Sequence, residues 1–200
     1  MCHFIKVNHM KLRAIGVLLL SLLTIGCTGT QTTIKPDPLT LSTQSPKKFE
    51  SAGLKARTSE YPPFAPAGNL TDGFASTLEE TGFAKKLYYP LRGEDKPEIL
   101  LEPQFSARAD LHSGANFAKA FFTGFTLFLL EPVIWFDYDY TVEGNVIVSR
   151  NGERLQTINA RSDATISAKW LSLSEISRLE AEALMKAKRS LYLQLMRDIH

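Results

Sequence analysis

The sequence is poor in cysteine and histidine, and its positive and negative charges are almost balanced. It holds two cysteines and four histidines in 200 residues, and 23 Lys and Arg face 21 Asp and Glu, a formal net charge of +2. No basic block is available to match a phosphate backbone, so nucleic-acid binding is not expected. With 44% hydrophobic and 22% charged residues, the composition is typical of one globular domain of ordinary size.

The N-terminal apolar run is too short to cross a membrane. The uncharged stretch 14–25 has 12 residues and follows Lys11 and Arg13, whereas a spanning helix needs ~20. A basic start and a run of this length are typical of a secretory signal peptide. Residues 1–26 are therefore predicted to be a signal, with either Met1 or Met10 as its start.

The run ends in Leu23-Thr24-Ile25-Gly26-Cys27. The small Gly26 lets a peptidase reach the bond before Cys27. This segment resembles the lipobox of bacterial lipoproteins, which implies that Cys27 is lipidated and becomes the mature N-terminus. An ordinary cleaved signal or a short membrane anchor is the alternative.

The residues around Cys27 agree with that resemblance. Cys2 lies in the predicted signal, so Cys27 would be the mature chain's only thiol, without a disulfide partner. Thr28 and Gly29 follow it, where an Asp would imply retention in the inner membrane. The lipoprotein sorting rule therefore implies the periplasmic face of the outer membrane of a Gram-negative bacterium.

A flexible tether is predicted between the lipidated residue and the folded body. Residues 27–48 are rich in Thr, Ser, Gln and Pro and have no apolar period of 2 or 3.6. Such a linker has a mean reach of roughly 25 Å. The body is then a single periplasmic domain over residues 49–200.

Hydrophobic periodicity predicts the order β-α-β-β-α-β-β-α for this body. Alternating runs over 99–111 and 136–148 indicate strands, and Asn151-Gly152 favours a hairpin turn. Ser172 with Glu175 predicts a capping box at the start of the last helix. The fold class is α+β, with a mostly antiparallel sheet and helices packed on one face.

One uncharged segment, Ala120 to Leu130, has 11 residues and allows two interpretations. A helix there is either a core helix pressed on the sheet or an amphipathic helix in a lipid interface or a partner's groove, with Trp135 at headgroup depth. A single Lys on its polar side is few for a lipid-surface helix. Helical spacing places the polar residues Asn116, Lys119, Thr123 and Thr126 on one side of the helix. The opposite side carries the candidate membrane or partner contacts, which are Phe117, Phe121, Phe125 and Phe128.

Residues for catalysis are scarce. The sequence has no Gly-x-Ser-x-Gly elbow, phosphate loop, dinucleotide fingerprint or His-Glu-x-x-His, and a histidine-based triad would rest on His112. Asp137, Asp139 and Glu143 share a strand face at roughly 6–7 Å spacing, which could suit a glycosidase pair or a cation. A solvated strand face is the favoured interpretation. We therefore expect a protein that is not an enzyme, with no catalytic residue, no metal and no cofactor.

The body also resembles known lipoprotein domains. Its element order is similar to that of small periplasmic domains related to the curli-secretion and penicillin-binding-protein-activator lipoproteins. Gly124-Phe125-Thr126-Leu127 followed by Tyr138-Asp139-Tyr140 looks like a group of uncharacterised lipoproteins. This resemblance implies an α+β domain and carries no functional residues with it.

The expected function is that of a non-catalytic outer-membrane lipoprotein. It would be held in the membrane through its lipid anchor, and it would bind a protein partner or support assembly of a cell-envelope complex. Two alternatives stay open: an auxiliary of a lipid or lipopolysaccharide transport machine, and a cell-wall or glycan hydrolase using Asp137 and Asp139.

Overall fold

A computed structural model describes residues 29–36, 49–55, 70–126, 129–130 and 133–199. The predicted signal peptide, Cys27 and Phe128 lie outside these residues. The described part is an α+β domain, and from Phe49 onward its elements follow the predicted order. They are β1 (Thr30–Lys35), β2 (Phe49–Leu54), α1 (Leu70–Glu80), β3 (Ala84–Tyr88), β4 (Ile99–Asp110), α2 (Ser113–Phe125), β5 (Phe136–Arg150), β6 (Glu153–Ala168), a 3-10 helix (Trp170–Glu175) and α3 (Ile176–Arg197).

The strands form one mixed sheet in the order β1-β6-β5-β4-β2-β3. The pairs β1–β6, β6–β5 and β5–β4 are antiparallel, whereas β2 is parallel to both β3 and β4. A parallel neighbour requires a crossover, and α1 lies in the crossover between β2 and β3. The sheet is therefore mostly antiparallel, as predicted.

The hydrophobic core lies on one face of this sheet. The inward residues of β4, β5 and β6 pack against α1 and α3. Phe74 of α1, Phe105 of β4 and Tyr192 of α3 form a ring cluster with centroids 5.5–5.7 Å apart. Because these two helices meet each other and the same face, the opposite face of β5 and β6 carries the polar side chains.

The strand β1 corrects the predicted tether. Thr30–Lys35 pairs with β6 from Thr30↔Ala168 to Lys35↔Asp163, and Ile34 packs against the core. The tether prediction over 27–48 is wrong for these six residues, and 37–48 lie outside the described residues. An edge strand needs few apolar side chains, so the β-branched residues of this polar stretch form a strand without a clear hydrophobic period.

The two predicted local signals have different outcomes. Asn151 and Gly152 have φ values of 53° and 85° and join β5 to β6, as the hairpin prediction requires. The prediction of a capping box is wrong. The helix α3 begins after the 3-10 helix, with Glu175 as its N-cap and no side-chain hydrogen bond at that cap. The Ser172 hydroxyl instead accepts a hydrogen bond from the Gly29 N–H at 3.0 Å.

Candidate functional site

The helix α2 lies at one end of the sheet, between the end of β4 and the start of β5. The register places Asp110 opposite Asp139, and Phe136 opposite Ala168, the last residue of β6. The helix has 13 residues and is therefore ~20 Å long. It follows His112, whose φ of 46° and ψ of 39° are left-handed. The chain thus turns sharply from β4 into α2.

The polar stripe of α2 faces the protein. Asn116 is 9% exposed and Thr123 is fully buried. The Asn116 side-chain amide donates to the carbonyls of Leu111 (2.9 Å) and Asp137 (2.8 Å), and its oxygen accepts from the Asp137 N–H (3.3 Å). Lys119 Nζ donates to the Asp137 carboxylate at 2.8 Å. These contacts attach the polar side of α2 to the first residues of β5.

The apolar stripe of α2 faces outward as a consequence. Phe117, Phe121 and Phe125 are 74%, 60% and 76% exposed, and the rings of Phe121 and Phe125 stack at 6.2 Å. A surface helix normally turns its apolar stripe to the core, so the polarity of α2 is inverted. The interpretation of this segment as a core helix is wrong, because its polar stripe supplies the contacts with β5.

The exposed apolar side chains cluster around this helix. Of the ten large hydrophobic side chains exposed among the described residues, only Leu155 and Met185 lie elsewhere. The other eight form what we call the α2 apolar surface: Leu111, Phe117, Phe121, Phe122, Phe125, Leu129, Leu130 and Val133. Globular domains rarely expose large apolar side chains in so concentrated a patch.

The polar face of β5 and β6 is a ladder of paired side chains. Directly opposed residues exchange hydrogen bonds of 2.6–2.7 Å: Ser167 to Asp137, Thr165 to Asp139, Thr141 to Asp163, and Asn145 to Asn159. Partial burial acts to raise the pKa of Asp137, but hydrogen bonds from Lys119 and Ser167 outweigh it and hold that pKa below its usual range. The carboxylates are therefore structural partners of this face.

The histidine at the start of α2 contacts the same ladder. His112 Nε2 lies 2.8 Å from the Asp139 carboxylate, and Nδ1 lies 3.8 Å from Asp110. The hydrogen bond to Asp139 raises the pKa of His112 above its ordinary value, and the nearby Asp110 and Asp137 charges add to this against partial desolvation. Both ring nitrogens thus point toward carboxylates.

The structure brings together the residues considered for catalysis, His112, Asp137 and Asp139, in one network of hydrogen bonds. Asp137 and Asp139 share a face as the spacing predicted, each bound to a basic side chain and a hydroxyl. Within the described residues no group of three or more His, Cys, Asp or Glu could hold a metal ion. Sequence reasoning missed the anchoring role of Asn116, for which the only signal was its place on the polar side of α2.

Gly29 marks where the chain enters this end of the domain. Its N–H binds Ser172, its carbonyl accepts from the Lys169 N–H at 3.0 Å, and its Cβ position lies 3.3 Å from the Trp135 ring. Trp135 belongs to the connection between α2 and β5. Gly29 and the α2 apolar surface therefore lie at the same end of the sheet.

No described helix has both the length and the apolar character needed to span a bilayer.

No protein-family model matches the chain, and a search of curated proteins finds no match. Among solved structures, the chain is similar to a minor lipoprotein from Acinetobacter baumannii, with 12% identity and a TM-score of 0.45, over 77% of this chain and 92% of that one. It is also similar to the PelC dodecamer from Paraburkholderia phytofirmans in two crystal forms, with 13% identity and a TM-score of 0.34, over 83% and 98% of the two chains. Similarity at this level assigns neither a family nor a function to this chain.

Proposed function

We propose that this protein is a non-catalytic lipoprotein of the Gram-negative cell envelope. Acylated Cys27 holds it on the periplasmic face of the outer membrane, and the α2 apolar surface binds a further envelope component. Through these two attachments it supports assembly of a cell-envelope complex. The observation that carries the proposal is the inverted polarity of α2, which presents three phenylalanine rings to the surroundings.

The surface is built into the fold, which favours a binding role over an accident of packing. Asn116 satisfies both backbone polar groups of Asp137, and Lys119 pairs with the Asp137 carboxylate. A buried polar side chain with these partners would lose them if α2 rotated about its axis. The domain therefore presents the aromatic rings at its surface, where another envelope component, protein or lipid, covers them.

The polar ladder supports a non-catalytic role. A general base needs a free nitrogen or oxygen directed at a substrate, whereas His112 Nε2 is hydrogen-bonded to Asp139 at 2.8 Å and Nδ1 lies 3.8 Å from the Asp110 carboxylate, beyond hydrogen-bond distance. Asp137 and Asp139 are each hydrogen-bonded to a hydroxyl and to a basic side chain. A glycosidase pair would need one of these carboxylates to leave its partners.

The proposal is tested in intact cells with a photo-crosslinking amino acid at position 121, and the same residue at position 155 as the matched control. Both native side chains are apolar and exposed, 60% for Phe121 and 50% for Leu155. We expect adducts with an identifiable envelope protein or lipid from 121 and none from 155. Equal crosslinking at the two positions would contradict the proposal that the α2 apolar surface is a binding surface.

The anchor has its own test. A fatty-acid analogue should label the wild-type protein, and Cys27→Ala should abolish the label. A wild-type protein that carries no label and fractionates with the aqueous phase would contradict the lipoprotein assignment.

A second candidate function uses the same rings. If the protein assists a lipid or lipopolysaccharide transport machine, the α2 apolar surface contacts acyl chains in transit. Lipid should then co-purify with the protein after detergent extraction, and Phe121→Ser should reduce its amount. Protein adducts without co-purifying lipid would favour the first proposal.

A further inference from the structure

The first described residue limits where an anchor on Cys27 can lie. Only Thr28 separates Gly29 from Cys27. Because consecutive Cα atoms are ~3.8 Å apart, the Cα atoms of Cys27 and Gly29 are separated by no more than ~7.6 Å. Gly29 itself is held by Ser172 and Lys169 at the end of the sheet. An acyl chain on Cys27 therefore enters the bilayer beside this end of the domain.

The same end carries the exposed rings. The Cβ position of Gly29 lies 3.3 Å from the Trp135 ring, and Trp135 follows the segment that contributes Leu129, Leu130 and Val133 to the α2 apolar surface. An anchor attached through so short a segment gives the domain little freedom to turn this surface away from the lipid.

We propose that the α2 apolar surface lies in the lipid–water interface of the same leaflet that holds the acyl chains of Cys27. The domain is then attached to the membrane at two points. This inference rests on the proposed acylation of Cys27. The strands run away from the membrane, and Leu155, 13 residues along β6 from Ala168, lies ~43 Å from that end at ~3.3 Å per residue.

The placement of α2 removes the sequence-based objection to a lipid-surface helix. Such helices usually carry several Lys or Arg on a polar face that meets the headgroups and water. Here the polar face is attached to β5 through Asn116 and Lys119. The sheet supports the helix from behind, so a basic polar face is not required to hold α2 at the membrane.

The charges at this end are compatible with a phosphate-rich surface. Asp137 is paired with Lys119, and Asp139 with His112, each at 2.8 Å. Asp110 is the more exposed carboxylate and lies 3.8 Å from His112. Lys119 offsets the charge of Asp137, and His112 occupies the Asp139 carboxylate, so fewer free acidic side chains face the lipid phosphates that would repel them.

Trp135 adds a side chain suited to the interface. Tryptophan is enriched at the boundary between headgroups and hydrocarbon, and Lys169 Nζ lies 5.4 Å from the centre of the Trp135 ring. A ring and an ammonium group so placed, next to Gly29, are typical of a region at headgroup depth.

The test uses the full-length lipoprotein reconstituted in phosphatidylethanolamine–phosphatidylglycerol vesicles. Phe121→Cys and the matched control Leu155→Cys are labelled with an environment-sensitive fluorophore. Cys27 is acylated and Cys2 is removed with the signal, so each variant offers a single free thiol. Both substitutions replace exposed side chains, and thermal melts compared with the wild type check that the variants fold.

An interfacial helix buries its apolar face by about 5–10 Å. We therefore expect blue-shifted emission at position 121 and loss of that emission to a nitroxide placed near the headgroup end of the acyl chain. At position 155 we expect unshifted emission that aqueous iodide quenches. A probe at 121 that behaves like the one at 155 would overturn the inference. So would a blue-shifted probe that lipid nitroxide does not quench, because a second copy would then cover the surface.

The mass of the reconstituted protein distinguishes a failure of the membrane-contact inference from a failure of the lipoprotein assignment. If Cys27 carries acyl chains and the probe at 121 stays in water, the membrane contact is wrong while the lipoprotein assignment stands. If Cys27 carries none, the proposed function fails, and the two-point attachment fails with it.

Discussion

Asn116 sets the direction in which α2 presents its rings. Its side chain donates to the Asp137 carbonyl and accepts from the Asp137 N–H, much as a neighbouring strand would. Since α2 and β5 are held together through this residue and Lys119, a change at position 116 affects the helix before it affects the core.

Replacing Asn116 with Ala should loosen α2 selectively. The change leaves the backbone groups of Asp137 without their partners, which costs roughly 1–3 kcal/mol. We expect a lower free energy of unfolding in denaturant titrations and faster amide hydrogen exchange in Ser113–Phe125. Asn145→Ala, which removes the more exposed bond to Asn159, is the control and should have little effect. Equal losses in the two variants would contradict the anchoring role of Asn116.

His112 makes the start of α2 sensitive to pH. The hydrogen bond to Asp139 raises the pKa of His112 above its ordinary value near 6.5. The stabilisation from the protonated ring is therefore complete below the unfolded pKa of ~6.5 and is lost as the pH rises through the raised folded pKa. An NMR titration of the ring protons measures this shift directly.

Two matched variants assign the cause of the His112 shift. Asp139→Asn should lower the pKa of His112 more than Asp110→Asn, because Asp139 is hydrogen-bonded to the ring at 2.8 Å and Asp110 lies 3.8 Å from it. A larger effect from the Asp110 variant would show that this assignment is wrong.

At the scale of the element, α2 differs from α1 in what its apolar side does. In α1 the side chains of Leu70, Phe74 and Leu78 are buried, and this stripe carries the packing against the sheet. In α2 the equivalent stripe is exposed, and hydrogen bonds carry the packing. The two helices should therefore respond in opposite ways to loss of their phenylalanines.

Changing Phe121 and Phe125 together to Ser should spare folding. Both rings are exposed, so we expect the free energy of unfolding to change by less than about 1 kcal/mol. Phe74→Ser is the control, and it should cost at least the ~3–5 kcal/mol typical of a buried Phe→Ala change. Denaturant titration compares them. If the double variant were as unstable as the control, the phenylalanines of α2 would have to be part of the core.

At the scale of the whole molecule, β1 changes how the domain stands on its anchor. A tether over 27–48 would have let the body stand off by roughly 25 Å. With Thr30–Lys35 in the sheet and the Pro36 carbonyl accepting from the buried Ser190 hydroxyl at 2.7 Å, the chain joins the domain two residues after Cys27.

Hydrogen exchange tests this attachment. Peptides covering Thr30–Lys35 should exchange slowly, since strand hydrogen bonds must open first, whereas a tether would exchange at once. Ile34→Ser removes the side chain that packs on the core and should speed exchange there. The exposed Thr33 provides the control Thr33→Ser, which should not. Immediate exchange in the wild type would restore the tether over these residues.

Local signals predicted much of this fold. Alternation in β4 and β5 and the Asn151-Gly152 turn each depend on residues that are close together in the sequence, so they could be recognised without the rest of the fold. The capping box failed because the Ser172 hydroxyl found a partner in Gly29, 143 residues away in sequence. No local pattern records a contact of that separation.

The sequence by itself determined that α2 has two faces, since the 3.6-residue period places Phe117, Phe121 and Phe125 opposite Asn116 and Thr123. Only the tertiary structure decided which face meets the protein. Periodicity separates polar from apolar side chains, but burial depends on the partners that the rest of the chain supplies. Here β5 supplies the backbone and carboxylate of Asp137, 21 residues beyond Asn116, and those hydrogen bonds leave the aromatic face outside.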